Sequence, residues 1–591
     1  MIDYKPLKIQ SFVAVLFLTE TPSDAPTSTV VHSDRAEEWV ALGHGSVRLW
    51  FRPRQLPARD DVVSAAKPRI LLLGDDAEWT AARGLTSLVN ATPVGYDDSA
   101  NSLTLYTSIV GLPPVFLHKD CRRVVLASDL CSLASVSGVR LELSPTGVVD
   151  LGRIGQPLGH RTLFKNTTLL PAGSKVLVSR ERGIAVERAW RLPGASPVDW
   201  KTFLNRQIDA FTDSVRRMEV TSSVLSLTAG LDTRTVFTTL ADQNRLVPAV
   251  TMSGVNRSLD ARAAARLCRA YGVSHSLVTI GDRFARGLAD YVQEASRLSG
   301  GLASLRQAPE VYLYHQLGGS FDARISGNLG NQVGRGGTEG VSTRRAELGI
   351  LSPALRDAST EAGHWLLRQL YGSGMSAIEF ILQQEIPFSS VGNFSIGNHF
   401  AVQKSPYADR ALVETLSMRP VGGSAPSGSL IKMRLRDLKH RFFGEPESTS
   451  FQRSLLQRLG GFAAAYPINY GWRATGGVSP AGLLWGAATF AGMAVQKWRL
   501  DDGPLSSTIE RIGLATLHDF RRSARWLRQD LRELTLDTLS SRQVLEAGIF
   551  DADVLEKVTA EHFGGREDHH ETVAFALDVA LAHRIFCSKR T

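Results

Sequence analysis

The sequence predicts an α/β protein with a β-rich N-terminal third, followed by a parallel-sheet domain with a large helical C-terminal part. Three observations predict this class. Short apolar runs broken by turn residues fill the first third, a β-α-β-α-β succession begins near residue 200, and the pattern beyond Phe321 is mostly helical. We place the two domains at residues 1–192 and 200–591. Two stacked sheets, a β-sandwich, would fit the first of them.

Apolar runs and period-two patterns predict the strands of the first third. Residues 12–18 are apolar and follow two lysines, and a buried strand explains this run better than the alternative, a short signal peptide. Residues 46–52 alternate between an apolar face and a face with two arginines, which predicts a half-buried strand. Residues 175–178 and 184–190 flank a Gly-containing turn and predict a hairpin. One helix, over residues 76–85, interrupts this set.

The second domain begins with alternating strand and helix patterns. Each strand is a short apolar run, and the helices carry apolar residues on one face. This succession predicts parallel strands joined by right-handed crossovers. We expect helices over residues 200–217, 235–241 and 259–271, and strands over residues 223–227, 247–252 and 275–280.

The composition excludes several classes of protein. With 43% hydrophobic and 21% charged residues over 591 positions, the chain is neither collagen-like, nor wholly disordered, nor a polytopic membrane protein. Its net charge of +9 selects no partner by itself. No apolar run approaches the roughly 18 residues of a spanning helix, so we expect no membrane partner. Four scattered cysteines without a CxxC pair argue against disulfides and structural zinc, and we predict a cytoplasmic protein.

The strand-to-helix turn at residues 228–234 carries the most chemical information. Amides at a helix start and the helix dipole favour an anion there, and Gly230 lets the chain turn into the helix. Thr228 and Thr233 add hydroxyl donors, and Asp232 supplies an oxygen of the kind that Mg²⁺ prefers. The Gly-Lys-Ser/Thr ending of a Walker loop is absent. The pattern indicates either a site for a phosphate group with its metal or a plain turn with threonine caps, and spacing alone does not separate the two.

This turn resembles a known signature. Thr228-Ala-Gly-Leu-Asp-Thr-Arg234 is similar to the Ser-Gly-Gly-Leu-Asp-Ser motif of ATP pyrophosphatases, specifically of the synthetase domain in the asparagine synthetase family. Further matches follow in the family's order. They are Ser253-Gly254, Asp260, Ser326-Gly327, and the segments 405–414 and 432–436. In the first third, the segments 127–129, 159–164 and 170–173 resemble parts of the family's glutaminase-like domain.

The resemblance implies a fold, a reaction and cofactors. The N-terminal domain would be a class II glutamine amidotransferase-like β-sandwich, and the second an ATP-pyrophosphatase domain. The family uses ATP and Mg²⁺ to activate a carboxylate as an acyl-adenylate, which an amine attacks to form an amide. By resemblance, the residues that contact pyrophosphate and ATP are Thr228, Ala229, Gly230, Asp232, Thr233, Ser253, Ser326 and Gly327. Asp232 and Asn331 would hold the metal.

The N-terminal domain departs from the family at its nucleophile. Relatives that draw ammonia from glutamine expose an N-terminal cysteine, whereas this chain begins Met1-Ile2-Asp3 and its first cysteine is Cys121. We therefore expect a degenerate domain that serves as scaffold. The resemblance extends to β-lactam synthetases and the macrolactam synthetases of lasso peptides, which lack that cysteine and use the substrate's own amine. This favours an amine over glutamine as nitrogen donor.

The second domain departs from the family in the loop that follows Ser326. By resemblance, Asn328 stands where a Glu or Tyr assists the amine attack, and Asn331 where an Asp holds magnesium. Neither amide carries a charge, and Asn328 cannot act as a general base. Either another carboxylate substitutes, with Glu339 or Asp322 nearby in sequence, or the ordinary chemistry is altered or lost.

Two basic residues are further candidates for catalysis. The family's late lysine, which touches pyrophosphate, has no counterpart here, and Arg473 could take its role through a planar fork of donors. A surface arginine beside a glycine turn is the alternative. Lys432 matches the family's Lys-x-x-Leu-Arg motif, and a structural salt bridge is the alternative.

Together these features predict an ATP-dependent amide-forming ligase that acts on a small-molecule or peptide carboxylate and an amine, with a carrier or precursor peptide as a further candidate partner. Glutamine-hydrolysing asparagine synthesis and a non-catalytic scaffold are the alternatives.

The arginine-rich stretch 511–532 favours a solvated helix face over nucleic-acid binding, because acidic residues interrupt it. Glu567-Asp-His-His-Glu571 has metal-ligand side chains without the HExxH spacing and predicts a polar helix start.

Overall fold

The computed structural model describes residues 7–17, 30–32, 38–42, 47–53, 69–74, 91–97, 101–137, 139–157, 159–254, 258–302, 304–334, 346–356, 376–420, 450–468, 473, 484 and 523–588. Within them the chain is a mixed α/β protein with one largely antiparallel sheet, one parallel sheet and many helices, which confirms the predicted class. The helix predicted over residues 76–85, together with Glu339 and Lys432, lies outside the described residues.

The strands of the first third form one hydrogen-bonded network. They are β1 (Leu7–Phe17), β2 (Val30–His32), β3 (Glu38–Leu42), β4 (Val47–Pro53), β5 (Arg69–Gly74), β6 (Ala91–Asp97), β7 (Ser102–Tyr106), β8 (Phe116–Lys119), β9 (Arg123–Ala127), β10 (Thr167–Leu169), β11 (Ser174–Ser179) and β12 (Gly183–Arg188). Their order is β10-β8-β9-β1-β5-β6-β7-β11-β12, and β4, β3 and β2 branch from β1. β1 pairs antiparallel with β4 and β9 and parallel with β5.

The predicted strands over residues 12–18 and 46–52 are β1 and β4, and the predicted hairpin is the antiparallel pair of β11 and β12. These three predictions are confirmed. The stacking of two sheets as a sandwich stays a prediction.

In the middle of this sheet every second side chain is buried. Leu103 and Leu105 of β7 lie opposite Val178 and Val176 of β11, and all four side chains are buried. Residues between them are half-exposed, because successive side chains in a strand point to opposite faces. The apolar alternation in the sequence therefore sets which face of the sheet enters the core.

The second sheet is parallel and has five strands. They are β13 (Ser223–Ser226), β14 (Ala249–Ser253), β15 (His275–Thr279), β16 (Ala323–Ile325) and β17 (Val402–Lys404). Their order is β15-β14-β13-β16-β17, with parallel pairing throughout. After β13 the chain adds β14 and β15 on one side and then returns to add β16 and β17 on the other. The strand order therefore reverses between β13 and β16.

The helices follow and connect these strands. They are α1 (Leu130–Ser137), α2 (Pro145–Ile154), α3 (Trp200–Arg217), α4 (Leu231–Asp242), α5 (Leu259–Ala270), α6 (Asp282–Arg286), α7 (Leu288–Ser299), α8 (Ser304–Leu317), α9 (Ala377–Phe380), α10 (Ile386–Phe400), α11 (Arg410–Thr415), α12 (Ser450–Leu459), α13 (Gly461–Ala465), α14 (Ser523–Arg528), α15 (Arg532–Leu539), α16 (Arg542–Leu545), α17 (Ala552–Phe563) and α18 (His570–Phe586). Short π-helical segments cover Gly330–Gly334 and Ile381–Glu385, and 3-10 turns cover Leu348–Ile350, Pro406–Ala408 and Leu416–Met418. No helix in the described part of the chain is long and apolar enough to cross a bilayer.

The last helix joins both parts of the chain. α18 is buried on all sides from Thr572 to Ala582, as expected of a helix whose sequence is apolar all round. Phe575 belongs to a buried cluster that also includes Val125 of β9. The rings of Phe164 and Phe586 lie 5.2 Å apart, edge to face. Apolar residues from both sides of the predicted domain boundary therefore pack into one cluster.

Candidate functional site

Three of the predicted site segments lie at one edge of the parallel sheet. Thr228 follows the carboxyl end of β13, Ser253 ends β14, and Ser326 follows β16. In open α/β sheets, ligands bind outside the carboxyl ends of the strands, where the strand order reverses. That point lies between β13 and β16, so the loops at residues 228–233 and 326–334 border it.

The first loop is closed by its own hydroxyl groups. Oγ1 of Thr228 and Oγ1 of Thr233 lie 3.0 Å apart, and the amide of Thr228 donates to the same Thr233 oxygen at 3.1 Å. The amide of Gly230 donates to Oγ1 of Thr228 at 3.2 Å. Gly230 precedes α4 and makes no side-chain cap, so the amides of the first turn start the helix without a capping oxygen. This arrangement offers donors and the positive end of the helix dipole to an anion.

Two charged residues hold the peptide groups of Ala229. Its amide donates to Oδ1 of Asp260 at 2.7 Å, and its carbonyl accepts from Nη2 of Arg234 at 3.2 Å. Arg234 is fully buried and donates further hydrogen bonds to the carbonyls of Ala463, Tyr466 and Pro467. Burial lowers the pKa of the Arg234 guanidinium to about 10, against the opposing effects of Tyr466 and Asp260. The sequence motif includes Arg234, but the motif does not show that this side chain is buried and holds the loop through hydrogen bonds.

Asp232 is held by a residue that no sequence motif indicated. Nε2 of Gln452 donates to Oδ1 of Asp232 at 3.1 Å and to the carbonyl of Gly330 at 3.3 Å. Gln452 is fully buried, and its Oε1 finds no hydrogen-bond donor among the described residues. Asp232 itself is half-exposed. The carboxylate therefore lies at the surface of the loop while a buried amide sets its orientation.

The second loop packs directly on the first. A Cβ atom at Gly330 would lie 2.5 Å from Cγ of Asp232, and one at Gly327 would lie 2.7 Å from the amide nitrogen of Thr233. Both distances are far below van der Waals contact. Glycine is required at these two positions, because Gly330 lies against the side chain of Asp232 and Gly327 against the backbone of Asp232 and Thr233.

Hydrogen bonds fix the course of the second loop. The amide of Ser326 donates to the carbonyl of Lys404 at 2.9 Å, and the amide of Asn328 donates to Oγ of Ser326 at 3.3 Å. The hydroxyl of Ser405 donates to the carbonyl of Asn328 at 2.5 Å. Leu329 has a φ of 68°, a left-handed conformation that costs free energy for a branched side chain and clusters at functional sites.

The remaining predicted site residues have different positions. Asn328 and Asn331 are half-exposed, and Asn331 follows Gly330, which contacts Asp232. Ser253 is buried, and its hydroxyl donates to Oγ of Ser258, the cap of α5. Arg473 is exposed.

Asp322 was one of two acidic residues named as a substitute carboxylate, and its position argues against that role. It directly precedes β16, whereas Ser326 follows this strand. Its amide donates to the carbonyl of Ser222, just before the start of β13. Asp322 therefore lies at the amino edge of the sheet, opposite the candidate site.

Comparison with known proteins leaves the family unassigned. No family model and no curated protein matches the chain. Among solved structures, a glutamine phosphoribosylpyrophosphate amidotransferase from B. subtilis, complexed with ADP and GMP, is similar at 10% identity with a TM-score of 0.17. The match covers 46% of this chain and 60% of that chain, less than two thirds of its length. At this TM-score the likeness carries no argument, and the resemblance to asparagine synthetases stays a prediction.

Proposed function

We propose that this protein is an ATP-dependent carbon–nitrogen ligase of the asparagine synthetase type. It would activate a carboxylate as an acyl-adenylate, release pyrophosphate, and transfer the acyl group to an amine with release of AMP. The observation that supports this most directly is the loop at residues 228–233, at the reversal point of the parallel sheet. The asparagine synthetase-like domain arrangement and a cytoplasmic location belong to the same proposal. None of the four cysteines forms a disulfide within the described part of the chain, as is usual in a reducing compartment.

The residues of the loop suit ATP with Mg²⁺. The first-turn amides of α4 and the hydroxyl groups of Thr228 and Thr233 are donors for phosphate oxygens. Asp232 is an oxygen ligand for a hard cation, and Gln452 restrains its rotamer. When bound, Mg²⁺·ATP supplies the adenylyl group and the positive charge that offsets the departing pyrophosphate.

The protein's own part in this proposal is to hold the phosphates before the reaction. Asp260 and Arg234 fix the Ala229 peptide from both sides, so the loop needs little reorganisation when an anion binds. Preorganised donors aimed at developing charge are usually the largest electrostatic contribution to catalysis. Gly327 packs on this loop, and together with Ser326 it would border the nucleoside.

The second loop sets a condition on the nitrogen donor. Asn328 and Asn331 supply no base, so an amine would have to reach the site unprotonated or lose its proton to another group. Ammonia would meet the same condition, so this loop does not separate a substrate amine from glutamine as the donor. The same two neutral residues favour a second candidate, a nucleotide-binding protein without ligase activity.

Calorimetric titration of the full chain with ATP tests the proposal. We expect binding that requires Mg²⁺ and weakens at least about tenfold in Asp232→Asn, equivalent to about 1.4 kcal/mol. Asp242→Asn is the matched control, because this exposed carboxylate ends the same helix. Binding that survives Asp232→Asn unchanged, or no binding at millimolar ATP, would remove the site assignment.

Release of AMP separates the two candidates. The ligase should form AMP when supplied with its carboxylate and amine, and Asn331→Asp should tighten Mg²⁺·ATP binding by adding a charge near Asp232. If ATP binds but a broad panel of carboxylates and amines yields no AMP, and AMP appears only after Asn328→Glu with Asn331→Asp, the nucleotide-binding candidate is favoured.

A further inference from the structure

A second cluster of charged side chains lies far along the chain from the nucleotide loop, in the connection between α17 and α18. Nε2 of His569 is 3.4 Å from Oε2 of Glu561 and 3.3 Å from Oε2 of Glu567. The ligand atoms of these three residues all lie within 4.8 Å of one another. The amide of Glu567 donates to the carbonyl of Glu561, which brings the loop back onto the end of α17.

The position of His569 implies a cation among these groups. Its side chain is only 8% exposed, and its Nδ1 lies 3.1 Å from Oε1 of Glu347. A hydrogen on Nδ1 would be donated to that carboxylate, which leaves Nε2 with a lone pair directed at two carboxylates. Nε2 makes no hydrogen bond to any described residue. Nε2 of His569 and the carboxylate oxygens of Glu561 and Glu567 are all electron-rich and repel one another. A positive charge between them would attract all three.

The distances fit donor atoms around one metal ion. Hydrogen bonds between nitrogen and a carboxylate are shorter, about 2.7–2.9 Å when charged. Donor atoms bound to one tetrahedral ion at about 2.1 Å are about 3.4 Å apart. The separations from Nε2 to both glutamates match the second geometry. The side chain of Glu567 is 68% exposed and can move until its carboxylate binds the same ion. Water would then be the fourth ligand.

The neighbouring charged side chains pair with groups other than the three ligands. Asp568, which lies between Glu567 and His569 in the sequence, pairs with Arg528 at 3.1 Å. His570 has its Nε2 3.3 Å from Glu571 and its Nδ1 3.4 Å from Asp568. These contacts pair Asp568, His570 and Glu571 with groups outside the three ligands.

We propose that Glu561, Glu567 and His569 bind a first-row divalent transition metal, with Glu347 as the partner that orients the imidazole. One nitrogen and two carboxylate oxygens suit Zn²⁺ or Mn²⁺. An imidazole that donates its other N–H to a carboxylate is the usual arrangement at metal sites. The ion ties the α17–α18 connection to the segment before Leu348–Ile350. The polar helix start expected at residues 567–571 is confirmed, and the third ligand, Glu561, lies outside that motif.

Titration of the full chain with Zn²⁺ and Mn²⁺, without nucleotide, tests this site. We expect one ion per chain at this position and a higher melting temperature with metal. Glu567→Gln and Glu561→Gln should abolish this binding event, and Glu347→Gln should weaken it about 10- to 100-fold. Glu556→Gln is the matched control, because this exposed glutamate lies on α17 away from the cluster.

Asp232→Asn should not change the binding of Zn²⁺ or Mn²⁺ to Glu561, Glu567 and His569. Failure of this proposal can therefore be told apart from failure of the proposed nucleotide site. Circular dichroism of each variant confirms that it folds. Metal binding that is identical in Glu561→Gln, Glu567→Gln and Glu556→Gln overturns the proposal. Absence of any binding at micromolar Zn²⁺ and Mn²⁺ also overturns it.

Discussion

Gln452 donates a hydrogen bond of 3.1 Å from its buried amide to the Oδ1 atom of Asp232, across 220 positions of the sequence. The same amide reaches the carbonyl of Gly330. One side chain of α12 therefore joins the two loops that border the candidate nucleotide site. The carboxylate proposed to hold Mg²⁺ depends on a helix outside the motif that contains it.

Gln452→Met should weaken both the fold and the site. The change removes a hydrogen bond to a charged group, worth about 1.5–3 kcal/mol, at similar side-chain volume. We expect a lower free energy of unfolding in urea and weaker Mg²⁺·ATP binding by calorimetry. Gln457→Met, at an exposed position of the same helix, should change neither quantity. Equal ATP affinity in both variants would show that Gln452 does not orient Asp232.

Gly330→Ala should separate the two loops. The added methyl group would lie 2.5 Å from Cγ of Asp232 and 2.7 Å from its Cβ, so one backbone must move. Overpacking of this kind costs about 1–3 kcal/mol. A lower midpoint in thermal unfolding and a reduced affinity for Mg²⁺·ATP are expected. Gly349→Ala is the control, since nothing lies within 4 Å of its added Cβ, and a similar effect there would contradict the explanation.

Arg234→Ala should be among the most destabilising changes in the chain. It removes a donor from four carbonyl groups, of which those of Ala229 and Ala463 are buried and the other two part-buried. Each loss at a buried carbonyl costs about 1–3 kcal/mol. Arg234→Lys should recover only part of the stability, because an ammonium lacks the planar fork of donors. Urea unfolding of both variants measures this. Arg269→Ala, at an exposed position on α5, should stay within about 0.5 kcal/mol of the parent.

His118 should make the N-terminal sheet sensitive to acid. Burial lowers the pKa of this imidazole in the folded state, although Asp120 opposes the effect, and its Nδ1 lies 2.9 Å from Oγ1 of Thr167. The unfolded chain takes up a proton near the ordinary pKa of about 6.5. Its contribution to stability is therefore complete above that pH and is lost as the pH falls through the depressed folded value.

Thermal unfolding between pH 5 and 8 checks this sign. His118→Gln should flatten the loss of stability on acidification, by at most about 1.4 kcal/mol per pH unit. An unchanged pH dependence in His118→Gln would assign the acid sensitivity to other groups.

The sequence by itself determined the alternation of strands and helices that begins near residue 200, and the turn that contains the candidate site. Apolar periodicity predicted β13, β14 and β15 and the helices between them, because burial of an amphipathic face depends on spacing within one element. Strand β16 was not predicted, and a place for Ser326 near the nucleoside was expected only from the resemblance. The alternation of strands and helices itself follows from local pattern.

Only the tertiary structure decided which distant groups complete the sites. It brought Gln452 to Asp232, enclosed Arg234 among carbonyl groups, set Asp322 at the opposite edge, and joined Glu561 to His569. Such contacts join residues from different elements, and a buried polar group is satisfied by whichever partner packing brings within about 3 Å. Sequence periodicity shows which face of an element is buried, whereas the partner that this face meets is set by how the elements pack.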